Sequence, residues 1–201
     1  MSRKKVAFFG PQYGMGGAGR VCAAVGKALA KMRYDVDFLV DGSYSEDSYL
    51  EEGLPDNCRV VRLTEADYSG FGYNPVGFLG LTFYLLKYLI NENVDVLISN
   101  LTKFNVISAS ASVVQNSVGV VLVEQNLLRT KLTRRGHIIP YLVQAHYPLA
   151  DMVLAVSSDV RKDLCENHGI SASKCRTIPN PLNVQDVVSK SIQTVDHDWF
   201  Q

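Results

Sequence analysis

The run Val6-Ala7-Phe8-Phe9, then Gly14-Met15-Gly16-Gly17-Ala18-Gly19-Arg20, then apolar residues at Val21, Val25, Ala28, Leu29 and Met32, decides the fold. A short apolar run closed by glycine and proline reads as a strand buried on both faces. The glycines form a loop, and the spacing after them is that of a helix. Residues 36–40, Val-Asp-Phe-Leu-Val, return as a second strand. Strand, glycine loop, helix and strand make one βαβ unit.

Working outward, the same rhythm recurs. Residues 59–63 read as a strand. Residues 76–91 read as a helix opened by Asn74-Pro75, a cap followed by proline at the first helical position. Strands follow at 94–99, 118–123 and 152–156, with helices at 104–114 and 138–149 between them. A helix over 159–167 starts from Ser157 or Ser158 and stops at Gly169. Residues 176–178 form a last short strand. The alternation predicts an α/β domain with a mostly parallel, doubly wound, Rossmann-like sheet and helices on both faces. After Leu182 the pattern fades, and residues 184–201 carry no strong helical or strand signal. Trp199-Phe200 near the last residue suggests that the natural chain continues.

Composition narrows the classes. At 201 residues one domain is expected. A chain of this size buries roughly 70% of its unfolded surface, enough for a core without staples. Lys+Arg and Asp+Glu are both 20, which argues against a dedicated nucleic-acid binder. Cys22, Cys58, Cys165 and Cys175 show no C-x-x-C spacing and read as free thiols of a reducing compartment. The apolar stretch 76–90 holds Lys87 and falls short of the ~20 residues that span a bilayer. No signal peptide is visible, so a soluble cytoplasmic protein is expected. Residues 41–67 hold eight acidic residues against Arg59 and Arg62 and read as an exposed acidic excursion. Residues 126–136 hold Arg129, Lys131, Arg134 and Arg135 with no acid.

In an open parallel sheet, ligands bind beyond the carboxyl ends of the strands. Those positions here are the loop from Gly10 to Gly19, then Asp41-Gly42, Asn100, Glu124-Gln125-Asn126, Ser157-Ser158 and Asn180-Pro181. The first is the least ordinary, because glycines let a backbone approach a ligand and a helix start binds phosphate. Gly14, Gly16 and Gly19 also satisfy the dinucleotide pattern G-x-G-x-x-G. Against that reading, Gly10-Pro11-Gln12-Tyr13 separate strand from loop, and Asp41 lies further on than the ~20 residues expected. His137, His146, His168 and His197 are scattered and read as surface or capping residues, so no metal site is expected.

Several stretches together resemble the amino-terminal half of GT-B glycosyltransferases of family 4. They are Gly16-Gly17-Ala18-Gly19-Arg20-Val21, the run 150–164 with Ala150-Asp151 and Val156-Ser157-Ser158, and Ile178-Pro179-Asn180-Pro181-Leu182-Asn183. Val123-Glu124-Gln125-Asn126-Leu127 is placed like the family's segment after the fifth strand, and Asp196-His197-Asp198-Trp199-Phe200 like its inter-domain linker.

The resemblance implies that residues 1–183 form the acceptor-side Rossmann-like domain. Residues 184–201 would lead to a carboxyl-terminal nucleotide-sugar domain, this chain's own partner, which is absent here. It implies retaining transfer, with no metal or other cofactor, from a UDP- or GDP-linked sugar to a glycan or lipid-linked acceptor. Peripheral contact with the inner face of a membrane follows from such an acceptor. Gly16, Gly17 and Ala18 would meet the donor phosphates. Asn100, Gln125, Asn126, Arg129, Arg134, Arg135, Ser157 and Asn180 would line the acceptor cleft.

No catalytic residue is assigned; Glu124 and Gln125 are the candidates. Many relatives have Glu where Gly19 stands and His where Gln125 stands, so neither role carries over. The alternatives are a GT-B epimerase or inverting transferase, with Glu124 as base, and a non-enzymatic Rossmann-type module binding a dinucleotide or another ligand.

If the basic stretch meets an anionic acceptor, replacing Arg134 and Arg135 with Ala in the full-length protein raises acceptor KM and leaves donor affinity untouched. The wild-type advantage shrinks at high salt, as the screening length falls to ~3 Å at 1 M. Unchanged acceptor kinetics at low ionic strength would make this stretch a solvated loop.

Overall fold

Alternation along the first strand, β1 (Lys5–Phe9), divides the protein into two layers. Val6 and Phe8 face one side of the sheet, Ala7 and Phe9 the other, and each pair feeds a separate hydrophobic core. The computed structural model describes residues 3–10, 13, 16–44, 50, 53–67, 75–128, 138–182 and 184–192.

The helix α1 (Gly17–Lys31) follows, then β2 (Asp35–Val40) and β3 (Cys58–Arg62). The chain crosses back through α2 (Pro75–Asn91) to β4 (Val96–Asn100), α3 (Thr102–Ser112) and β5 (Gly119–Glu124). Next come α4 (Ile139–His146) with a 3₁₀ turn (Tyr147–Leu149), β6 (Met152–Ala155), α5 (Ser158–His168), β7 (Cys175–Thr177) and α6 (Val184–Ser191). The seven strands form one sheet in the order β3-β2-β1-β4-β5-β6-β7, with every pairing parallel. This is the doubly wound α/β arrangement expected from the alternation. The order reverses between β1 and β4, whose ends carry Gly10 and Asn100.

Helix α1 lies against β2 because Gly26 has no side chain. A Cβ there would run into the Phe38 ring, which stacks on Phe8 at 5.5 Å and meets Tyr13 edge-on at 5.3 Å. The opposite core packs β1, β4, β5 and β6 under α2–α5. Most predicted boundaries move by one or two residues, and three differences change the elements themselves or where a helix starts. Helix α3 begins at Thr102 rather than Phe104, the predicted helix 138–149 divides into α4 and the 3₁₀ turn, and α6 forms where no element was expected. The acidic excursion is not wholly exposed, for Tyr44 and Leu50 from it enter the α1-side core.

The apolar stretch 76–90 is both core and surface. Gly77, Leu81, Leu85, Tyr88 and Leu89 are buried, whereas Val76, Leu79, Phe83 and Ile90 are exposed on the other side of α2. Among the described residues, no helix is long and apolar enough to cross a membrane.

The amino edge of the sheet is tied by charge. Buried Asp37 receives Arg59 Nε at 2.6 Å and Nη2 at 2.8 Å, and the Tyr88 hydroxyl also donates to it. Glu92 closes the ring through Arg59 and, at 3.0 Å, Lys5 Nζ. Burial and the Asp37 hydrogen bond push the Tyr88 phenol well above its ordinary range. Replacing Asp37 with Ala leaves three donors, two on Arg59 and one on Tyr88, without this acceptor. Because Arg59 is half exposed, the expected loss is about 2 kcal/mol rather than the roughly 3–5 of a fully buried pair. Urea unfolding at constant m-value measures it.

Candidate functional site

The carboxyl ends of the strands bring the sequence-predicted positions to one edge, centred on the reversal between β1 and β4. Gly10 and Asn100 meet there, and a Cβ on Gly10 would touch Asn100 Cβ at 3.6 Å. Asn100 is 2% exposed. Its Nδ2 donates to Cys22 Sγ at 3.0 Å, while Oδ1 has no partner. A buried polar atom left unpaired costs about 1–3 kcal/mol. Burial pushes the Cys22 thiol up to about 11, against the lowering by the Asn100 hydrogen bond.

The amino end of α1 is open. Its cap, Gly16, has an extended backbone and no capping side chain, and the first turn holds no acid. Among the described residues, a Cβ on Gly16 or Gly17 would meet nothing within 4 Å. The first N–H groups of α1 have no intrahelical partner, and with the positive end of the helix dipole they form a place for an anion. Gly14 lies outside the described residues, and Gly19 is buried.

After β4 the chain turns sharply. Leu101 takes φ 72° and ψ 147°, a conformation nearly confined to glycine and costing about 1–3 kcal/mol elsewhere. The turn starts α3 with Lys103 in its first turn, where a cation opposes the helix dipole. Burial lowers the Lys103 pKa, while Asp41 and Asp67 raise it. Lys103 was not singled out from sequence; a cation directly after a strand end and at a helix start is the signal that could have found it.

Glu124, at the end of β5, is 0% exposed. Its Oε2 accepts from the hydroxyls of Tyr147 at 2.6 Å and Thr102 at 3.0 Å, and Oε1 from the N–H groups of Gln125 and Asn126 at 3.1 and 3.2 Å. Asn105 joins this network, receiving Ser99 Oγ at 2.8 Å and donating to Tyr147 at 3.0 Å. A carboxylate enclosed in this way is poorly placed to reach an acceptor proton.

Gln125 and Asn180 form a reciprocal amide pair, at 2.7 and 3.3 Å, across the end of β6. Asn126 is exposed. Ser157 caps α5, its hydroxyl accepting from Val160 N–H at 3.2 Å. Arg129, Arg134 and Arg135 lie outside the described residues, as do His137 and His197. His146 Nδ1 lies 2.8 Å from the Leu142 carbonyl. His168, expected to be a surface or capping residue, is not on the surface: it is 4% exposed, and neither ring nitrogen is hydrogen-bonded among the described residues. The predicted helix stops at residue 167, one short of His168, and does not show that this face turns into the core. Among the described residues no cluster of three or more His, Cys, Asp or Glu side chains could hold a metal ion. Concavities at the amino edge, lined by residues such as Asp35, Asp56 and Asn57, lie on the opposite side of the sheet from these groups.

The family model for Glycosyltransferase Family 4 matches residues 15–186. The chain belongs to glycosyltransferase family 4. A curated relative, from Campylobacter jejuni subsp. jejuni serotype O:2, is N-acetylgalactosamine-N,N'-diacetylbacillosaminyl-diphospho-undecaprenol 4-alpha-N-acetylgalactosaminyltransferase. It is 25% identical over 199 residues, covering 96% of this chain and 52% of the relative. The chain therefore spans about half the length of the curated relative it matches. Among solved structures, sucrose-phosphate synthase from Thermosynechococcus elongatus superimposes with a TM-score of 0.66 at 16% identity. That match covers 96% of this chain and 54% of the synthase. Anabaena Alr3699/HepE, solved in complex with UDP and glucose, gives 0.60 at 18% identity, covering 91% and 46%. The fold is thus the amino-terminal Rossmann-like half of the GT-B architecture.

The open space at Gly17 separates folding from ligand approach. In the full-length protein, Gly17→Val should leave the thermal midpoint within a few degrees, since helix propensity changes by less than about 1 kcal/mol. Sugar transfer should be abolished by the bulk at the anion position. Unchanged turnover would remove this loop from the mechanism.

Proposed function

We propose that residues 1–183 are the acceptor-side domain of a retaining glycosyltransferase and that residues 184–201, including α6, connect it to a nucleotide-sugar domain. The observation that carries this reading is the uncapped, acid-free start of α1 at the strand reversal of a family 4 chain. The donor is a UDP- or GDP-linked sugar. The acceptor hydroxyl attacks the anomeric carbon from the side of the departing diphosphate as that bond breaks, its proton passes to the leaving diphosphate oxygen, and the N–H groups at Gly16, Gly17 and Ala18 meet the charge that develops there. With the leaving group taking the proton, no base is required of this domain. Gln125 offers an amide that both donates and accepts to a sugar hydroxyl. The enclosure of Glu124 supports retention over inversion, since an inverting enzyme needs an accessible base.

The relative's name identifies a diphospho-undecaprenol-linked substrate, and we carry that class over as the acceptor. The exposed apolar side of α2, with Val76, Leu79, Phe83 and Ile90, supports a peripheral position on the cytoplasmic face of a membrane. The test is to incubate the full-length protein with UDP-N-acetylgalactosamine, UDP-glucose and GDP-mannose, each with a polyprenyl-diphosphate-linked saccharide. Expected is one glycosylated product whose new bond keeps the donor's anomeric configuration by NMR, and none from the 201-residue chain alone. An inverted product overturns retention, and no product overturns the acceptor class.

A further inference from the structure

Residues 125–128 leave the sheet at the cleft edge, yet three of their backbone N–H groups donate to buried carboxylates. Glu124 Oε1 accepts from Gln125 and Asn126 at 3.1 and 3.2 Å. At the far end Asp163 Oδ2 accepts from Leu128 N–H at 2.9 Å. Both acids are almost wholly enclosed, at 0% and 5% exposure. Each is held in turn. Tyr147 and Thr102 donate to Glu124 Oε2, Asn167 Nδ2 donates to Asp163 Oδ1 at 2.8 Å, and His168 Nε2 stands 3.6 Å from Asp163 Oδ2. A segment with such bonds at both ends is a rigid ledge rather than a free loop. Its outward side presents exposed Asn126 and the Gln125 amide, two positions of the acceptor cleft.

We propose that Glu124 and Asp163 are positioning residues that set the ledge 125–128 against which the acceptor sugar is oriented. Neither touches the reacting atoms. The proposal rests on the reading of this chain as an acceptor-side domain, and it assigns Asp163, on α5, a part in acceptor binding. Misplacing a bound group by about 1 Å can cost up to ~100-fold, so loosening one end of the ledge should cost about tenfold.

The test uses the full-length protein with UDP-N-acetylgalactosamine and a polyprenyl-diphosphate-linked saccharide. Asp163→Ala should raise acceptor KM about tenfold, with donor KM unchanged and kcat within about twofold. Asp163→Asn keeps an acceptor oxygen for Leu128 N–H and should restore acceptor KM to near the wild-type value. If Asp163→Ala does not fold by circular dichroism, Asn167→Ala serves instead. It removes only the group that orients Asp163, and acceptor KM should rise about threefold. Glu124→Gln keeps Oε1 as an acceptor and should leave the pH profile of kcat/KM unchanged.

A wild-type acceptor KM in Asp163→Ala, or in Asn167→Ala where Asp163→Ala does not fold, overturns the proposal. So does a loss of kcat by ~100-fold or more in Glu124→Gln together with loss of the acidic limb of the profile, which would make Glu124 a base. Failure of the wild-type protein to transfer to this acceptor overturns the acceptor-domain reading, and the proposal with it. Transfer by wild type with unaffected variants overturns the proposal alone.

Discussion

The contact between Gly26 and the Phe38 ring sets where everything else can sit. Helix α1 is anchored to β2 at that point, one helical face lying on the stacked pair Phe8–Phe38. With 1.5 Å of rise per residue, the distance from Gly26 back to Gly17 is about 14 Å, which carries the helix start out to the carboxyl edge of the sheet. A larger residue at 26 would lift the helix or tilt it, and the open N–H groups at Gly16 and Gly17 would move with it. The position of the α1 start is thus fixed by a packing contact about two and a half helical turns away.

The two edges of the sheet differ in how fully their polar groups and backbone are satisfied. At the amino edge Asp37, Arg59, Tyr88, Glu92 and Lys5 satisfy one another and bind β1, β2, β3 and α2 together. At the carboxyl edge the local rules are broken: a helix without a cap, a non-glycine residue at φ 72°, and a buried amide atom without a partner. Each breach costs free energy, and the cores on both faces of the sheet must supply it. Such breaches gather where function requires them.

Much of this was legible in the sequence, and for physical reasons. Strand alternation, the glycine loop and the caps at Ser157 and Gly169 are local, so a linear reading reaches them. The pairing of Gln125 with Asn180 was not legible. The two lie 55 residues apart and meet only because β5, β6 and β7 lie side by side. Nor was the enclosure of Glu124, which depends on Tyr147 arriving from the 3₁₀ turn after α4. Helix α6 was missed because Val184, Val187 and Val188 are too few in a polar run to stand out. The acidic excursion misled for the opposite reason: its charge hid two apolar residues, Tyr44 and Leu50, that anchor it.

The end of β4 shows most directly how the two sides of the carboxyl edge differ. Ser99 and Asn100 are neighbours on one strand, so their side chains point to opposite faces. Ser99 joins a chain of hydrogen bonds through Asn105 and Tyr147 to Glu124, each link made within the protein. Asn100 faces α1, finds only the Cys22 sulfur for its Nδ2, and leaves Oδ1 unmatched. Exchanging the amide's O and N assignments would not remove the deficit, since one of the two atoms still goes without a partner. The deficit therefore belongs to the α1 face, the same face on which Gly16 and Gly17 leave backbone donors open. The α3 face has the opposite character, a closed network that resists rearrangement. One strand end thus supplies rigidity to its α3 side and unmet hydrogen-bonding capacity to its α1 side. The strained turn at Leu101 links the two.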